Sequence, residues 1–173
     1  MLKLIAITEV KHESIIDYKM AFIKNLKEVS RVVCMSSILE ELEYFAWLKR
    51  NRVENYYFMI DDSNPDYIIG DCMLIRGIDG NNQKGTIGYS VRPDERYKHN
   101  GTHMLKLLLE KCKELAIKEI NISCLEKNIA SQKVIINNGG KLDKRYFDIK
   151  ACDYGFEYQI ALEEPGKTLV KNW

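Results

Sequence analysis

The sequence predicts an α/β chain of the α+β kind, a mixed sheet with flanking helices, in the order β-α-α-β-β-β-α-β-α-β-β. Three observations carry that prediction. Ile87, Tyr89 and Val91 alternate with Thr86, Gly88 and Ser90, the period-two pattern of a half-buried strand. Leu105, Leu108, Leu109, Cys112, Leu115 and Ala116 then recur at helical spacing, with Lys106, Glu110, Lys113 and Glu114 on the other side. Ile120, Ile122 and Cys124 alternate once more with Asn121 and Ser123. Strand, crossover helix and strand together make a parallel βαβ unit, right-handed by strong default.

The remaining elements follow in order. Residues 2–8 form a first strand. Ile15, Phe22, Leu26 and Val29 give one face of a helix over about 12–29. Ile38, Leu42, Phe45 and Ala46 mark a second helix ending near Arg52. Residues 56–60 are a strand, 61–66 a turn around Pro65, and 68–75 the next strand. A polar turn over 77–84 leads into the strand that ends at Val91. After the βαβ unit, Asn128 caps a short helix and Gly139-Gly140 supplies its left-handed end. Strands over 141–147 and 156–162 complete the chain, the latter with Phe156, Tyr158, Ile160 and Leu162 on one face.

Composition bounds the function. The 173 residues suit one domain, 1–173, with a core over about 1–163 and a loose tail over 164–173. A net charge of +1 gives no strong pull towards nucleic acid or an anionic membrane. Five cysteines without a Cys-x-x-Cys pair suit reduced thiols in a cytoplasmic setting. Three scattered histidines, His12, His99 and His103, show no zinc spacing, so no metal is expected. Neither a signal peptide nor a membrane span is expected. The sequence lacks Gly-x-Gly-x-x-Gly and Gly-x-x-x-x-Gly-Lys-Ser/Thr, which argues against a dinucleotide oxidoreductase and a P-loop hydrolase.

The chemistry is concentrated where the strand ending at Val91 meets the following helix. Pro93 ends the strand, and the helix must begin close to Gly101 or Thr102. Its first amide N–H groups have no partner inside the helix and carry the positive end of its dipole. An anion placed there is stabilised by hydrogen bonds and by the dipole together. Arg92, Arg96 and Lys98 add positive charge, partly offset by Asp94 and Glu95. Charge-assisted hydrogen bonds contribute about 1.5–3 kcal/mol each. Three or four supply much of the roughly 8 kcal/mol of a micromolar phosphate ligand.

With Asn128-x-x-Ser131 and its Gly-containing turn following the next strand, the chain resembles the GNAT superfamily, the Gcn5-related N-acetyltransferases. The family's phosphate loop reads Arg/Gln-x-x-Gly-x-Gly/Ala, and Arg96-Tyr97-Lys98-His99-Asn100-Gly101 lies in that register. Two positions depart from the family: His99 replaces the first loop glycine, and Ile135 stands where many members carry a Tyr that protonates the leaving thiolate. His and Asn tolerate left-handed backbone better than most non-glycine residues.

The resemblance implies an acetyl-CoA-dependent N-acetyltransferase that moves an acetyl group to a primary amine of a small molecule or protein by direct attack. It assigns cofactor binding to Tyr89, Ser90, Val91, Arg96, Tyr97, Lys98, His99, Asn100, Gly101, Thr102, Asn128 and Ser131. It also implies that the strands ending at Val91 and Cys124 splay to admit the pantetheine arm, and that relatives often form dimers. Asn128 has two readings, helix cap or cofactor ligand, and Ser131 reads equally as polar helix surface. No base or acid is identified. Glu40, Glu41 and Asp71 are candidate bases, each reading first as a solvated surface charge; Tyr146 and Tyr158 are candidate acids, each reading first as packing. The alternative function is a non-catalytic CoA-binding sensor or scaffold of the same fold.

Overall fold

The alternating runs become seven strands in the computed structural model, which describes residues 1–24, 55–77 and 83–162. They are β1 (Leu2–Ala6), β2 (Tyr56–Asp61), β3 (Asn64–Arg76), β4 (Lys84–Val91), β5 (Glu119–Leu125), β6 (Lys141–Asp148) and β7 (Asp153–Ala161). The described helices are α1 (His12–Lys24), α2 (Asn100–Glu114) and α3 (Ile129–Asn137). The strands form one mixed sheet of order β1-β2-β3-β4-β5-β7-β6. β4 and β5 are parallel, whereas β1–β2, β2–β3, β5–β7 and β6–β7 are antiparallel. The mixed α/β fold expected from the sequence is present. The expected second helix over 38–52, Glu40, Glu41 and the tail over 164–173 lie outside the described residues.

The chain divides into two compact units, Met1–Leu74 with Gly88–Leu108, and Ile75–Ile87 with Leu109–Trp173. In the first, Ile15, Tyr18 and Phe22 of α1 pack on Tyr56, Phe58, Ile60 and Ile68. Burying a side chain of this size contributes about 1.5–3 kcal/mol. Tyr18 and Phe22 also meet edge to face, ring centroids 5.1 Å apart. Side chains alternate across a strand, so Gly70 points away from the face that carries Asp71. A Cβ on Gly70 would stand 2.6 Å from the Ser90 carbonyl oxygen and 3.1 Å from Met104 of α2. Glycine is what lets β3, β4 and α2 approach so closely here.

The turn expected over 61–66 is shorter than that. Asp61 pairs with Asn64, and Asp61 Oδ1 accepts from the Ser63 N–H at 2.9 Å and the Ser63 hydroxyl at 2.8 Å. Residues 65–67 then fall in a bulge between the Asp61–Asn64 and Ile60–Ile68 pairs, where the missing N–H of Pro65 costs no ladder bond.

In the second unit, β4 and β5 register as Lys84–Glu119, Gly85–Ile120 and Thr86–Asn121, three pairs at the starts of both strands. Both helices there end alike. At α2, Ile117 N–H donates to Cys112 C=O and Ala116 N–H to Lys113 C=O, each at 3.0 Å. At α3, Gly140 N–H donates to Ile135 C=O and Gly139 N–H to Ile136 C=O, again at 3.0 Å. This is the Schellman arrangement, which needs left-handed backbone just past the helix. Gly139 supplies it with φ +85° and Ala116 with φ +58°.

Candidate active site

The first unit holds the loop and its cations. Pro93, Asp94 and Glu95 form a single 3-10 turn after β4, with Arg96 N–H returning to Pro93 C=O at 3.4 Å. Tyr97 (φ +62°) and His99 (φ +60°) are left-handed, and Lys98 between them is not. Backbone that alternates in hand turns successive N–H groups into one concavity suited to an anion. His99 therefore takes the backbone role that glycine plays in the family loop. α2 begins at Asn100, one residue before the expected start, and its first bond runs from His103 N–H to His99 C=O at 3.1 Å. The amides of Asn100 and Gly101 precede that bond, at the positive end of a fifteen-residue helix.

Side chains brace this loop from beneath. Asn100 is buried, and its Nδ2 donates to the Glu95 carbonyl and to Glu95 Oε2, both at 3.1 Å. Arg96 Nε donates to the Val91 carbonyl at 3.3 Å, with its guanidinium 5.9 Å from the Phe22 ring centroid. Lys98 is exposed and pairs with Glu95 at 3.1 Å. Tyr97 is 96% exposed.

Arg92 does not behave as a phosphate ligand. Its side chain is 8% exposed, bonded to Asp17 at 2.7 Å and to Asp94 at 2.9 Å. It also lies over the Tyr67 ring. Burial opposes its charge, but Asp17 and Asp94 prevail and raise its pKa. Asp94 shows the converse: burial opposes its charge, but its own backbone N–H and Arg92 hold its carboxyl below the usual range. Tyr67 donates to Asp94 at 3.1 Å or to Glu95 at 3.2 Å. Burial first, against Arg92, and then Asp94 push its phenol up to about 12.

One carboxylate contradicts its sequence reading. Asp71 is not a solvated surface charge but is 8% exposed. It registers opposite Phe58 on the face that α1 covers. Tyr18 donates to its Oδ1 and Tyr56 to its Oδ2, the latter at 2.5 Å. Sequence reasoning missed both tyrosines. The available signal was a charge in the middle of the apolar run Tyr67-Ile68-Ile69-Gly70-Asp71-Cys72-Met73-Leu74-Ile75.

The second unit holds the other sequence candidates. Asn128 Oδ1 accepts from Ser131 N–H at 3.1 Å, so the capping role expected of Asn128 is present. The Ser131 hydroxyl hydrogen-bonds to the Cys124 thiol, whose pKa burial raises against that bond. Tyr158 is 4% exposed and packs edge to face on Phe156, which fits the packing alternative. Burial first, then Cys124, raise its phenol pKa. Tyr146 lies on β6 beside Gly155, where a Cβ would stand 2.8 Å from its ring. Ile135 is fully buried, with its own backbone packed under Gly140. Cys72, Cys112 and Cys124 are buried free thiols and Cys152 is exposed. Among the described residues no group of three or more His, Cys, Asp or Glu could hold a metal ion, and no helix is long and apolar enough to cross a membrane.

The mixed seven-stranded sheet with its helices matches the acyl-CoA N-acyltransferase fold. A family model described as an acetyltransferase (GNAT) domain matches residues 9–141, more than half of the chain, and the chain belongs to that family. Solved structures share its fold. An acetyltransferase from Salmonella typhimurium that modifies the N-terminal serine of ribosomal protein L7/L12 aligns with TM-score 0.74 and 16% identity, over 94% of this chain and 95% of that one. A second Salmonella typhimurium protein, solved with its cofactor acetyl-CoA, aligns with TM-score 0.71 and 11% identity, over 95% and 96%. A chimeric spermidine N-acetyltransferase from Vibrio cholerae aligns with TM-score 0.70 and 14% identity, over 92% and 95%. No curated protein matches the sequence.

Proposed function

We propose that this member of the GNAT acetyltransferase family transfers the acetyl group of acetyl-CoA to a primary amine. The observation that carries the proposal is the start of α2, where the amides of Asn100 and Gly101 precede the His103-to-His99 bond behind a loop of alternating hand. A diphosphate is a doubly charged ligand for such donors. Tyr97, Lys98 and His99 would line the same seat, with Arg96 bracing it from Val91 and Tyr89, Ser90 and Val91 running beside the acyl end. Asn128 and Ser131 are the further cofactor positions that the family motif suggests. The acetyl-CoA in one structural relative supports the donor. Relatives that act on a protein N-terminus and on spermidine support an amine acceptor of either kind.

The chemistry needs a neutral amine. An alkylamine with a pKa near 10.4 costs roughly 4–5 kcal/mol to deprotonate at pH 7. Its nitrogen then bonds to the acetyl carbon, the carbon–sulfur bond breaks, the nitrogen gives up one proton to solvent, and the CoA thiolate leaves and takes up a proton. Holding both partners in one site supplies the proximity component of the rate. Ile135 has no proton to give, which leaves solvent, Tyr146 and Tyr158 as proton sources for the thiolate.

Thiol release from acetyl-CoA, followed against a panel of polyamines, amino sugars and peptide N-termini, tests the proposal. Amine-dependent thiol release with a mass gain of one acetyl group on the acceptor is expected. CoA binding with no release across the panel would favour a non-catalytic CoA-binding module, the reading that the buried Ile135 supports.

A further inference from the structure

We propose that Asp71, clasped by Tyr18 and Tyr56, is the site that receives the cationic head of the acceptor, which makes the acceptor an aliphatic ammonium ion. The inference deepens the N-acetyltransferase reading and rests on it. Asp71 is nine-tenths buried, and each of its carboxylate oxygens takes one phenol hydrogen bond. No lysine, arginine or histidine nitrogen pairs with it among the described residues. A carboxylate offers about four lone-pair sites, so two phenols leave roughly half of them unused. Two neutral donors offset only part of the cost of removing an ion from water, and a cation is what completes the compensation.

The position of the cluster suits the reaction. Tyr18 Oη lies 3.4 Å from the Ser90 carbonyl oxygen on β4. A phenol has one proton, and the closer Asp71 accepts it, so Tyr18 sets the carboxylate beside the Ser90 backbone. Ser90 belongs to the strand segment proposed to run beside the acyl group. An ammonium held at Asp71 therefore waits next to the thioester's expected position. Of the buried cations in this unit, Arg92 is held by Asp17 and Asp94, and Lys19 lies over the Tyr18 and Phe22 rings, its Nζ 5.1 and 5.6 Å from their centroids, rather than on the carboxylate.

The test is a titration of the full-length protein with n-butylammonium chloride, with 1-butanol as the neutral isostere and sodium chloride matching ionic strength. The readouts are the 13Cγ signal of Asp71 in 13C-aspartate-labelled protein at fixed pH and the thermal unfolding midpoint. Saturable change in both with n-butylammonium, and none with 1-butanol, is expected. Asp71→Asn should weaken the ammonium effect on the midpoint at least about tenfold in concentration. Asp66→Asn, which removes an exposed carboxylate outside the cluster, should retain it. An unresponsive Asp71 signal, an equal response to 1-butanol, or an equal loss of the response in Asp66→Asn would overturn the proposal. A parallel CoA titration separates the two readings: a protein that answers ammonium but not CoA keeps its cation site and refutes the cofactor assignment.

Discussion

The guanidinium of Arg92 lies over the phenol ring of Tyr67, its carbon 4.4 Å from the ring centroid. That stack, closed by Asp17 and Asp94, makes Arg92 a brace for the turn that follows β4. Lysine can keep the charge, but it cannot stack and fork as guanidinium does. Arg92→Lys is predicted to lower stability by about 1–2 kcal/mol, read from urea unfolding. The figure is modest because both aspartates are more than half exposed and rehydrate when the arginine is lost. CoA and dephospho-CoA should lose affinity in that variant by the same factor. A selective loss for CoA would mean that Arg92 reaches the 3′-phosphate.

Ala116 and Gly139 occupy equivalent positions beyond α2 and α3, and only one of them is glycine. Left-handed backbone costs a residue with a Cβ roughly 1–2 kcal/mol. Ala116→Gly is therefore predicted to stabilise the protein by about 1 kcal/mol, less the entropy that glycine loses on folding. Gly139→Ala should destabilise it by a similar amount, and a Cβ there meets nothing within 4 Å, so strain alone is measured. Thermal unfolding of the two variants should move in opposite directions. Movement in the same direction would contradict the shared motif.

Acid should expose the role of Asp61. The Ser63 backbone N–H, and then the Ser63 hydroxyl, hold its carboxyl down from 3.8 to about 2. A folded-state pKa below the unfolded value stabilises the native state at pH values above the unfolded pKa. That contribution is complete above about pH 4 and disappears as pH falls through about 2. The stability difference between wild type and Asp61→Asn should accordingly be flat above pH 4 and shrink below it, as followed by unfolding at a series of pH values. A difference that grows on acidification would reverse the sign.

The sequence made legible those features that depend on local pattern. Period two marked β4 and β5, Asn128 announced its cap, and Gly139 its left-handed turn. Features set by distant partners were hidden. Arg92 carries the right charge for a phosphate, but its partners Asp17 and Tyr67 are remote in sequence. Asp71 reads as surface until Tyr18, fifty-three positions away, is folded onto it. Ala116 gave no sign of left-handed backbone because glycine is the usual signal. The early start of β3 was masked by Pro65, which a bulge accommodates.

The most direct measurement of the central claim is isothermal titration of CoA into wild type and Gly101→Asp. Aspartate in the first turn favours the helix dipole, so the fold should survive, while its charge opposes a diphosphate at the same amides. Saturable CoA binding to wild type, weakened at least about tenfold in a variant that still unfolds cooperatively, is the predicted result. Equal affinity in the two proteins would contradict the assignment of the diphosphate to the start of α2.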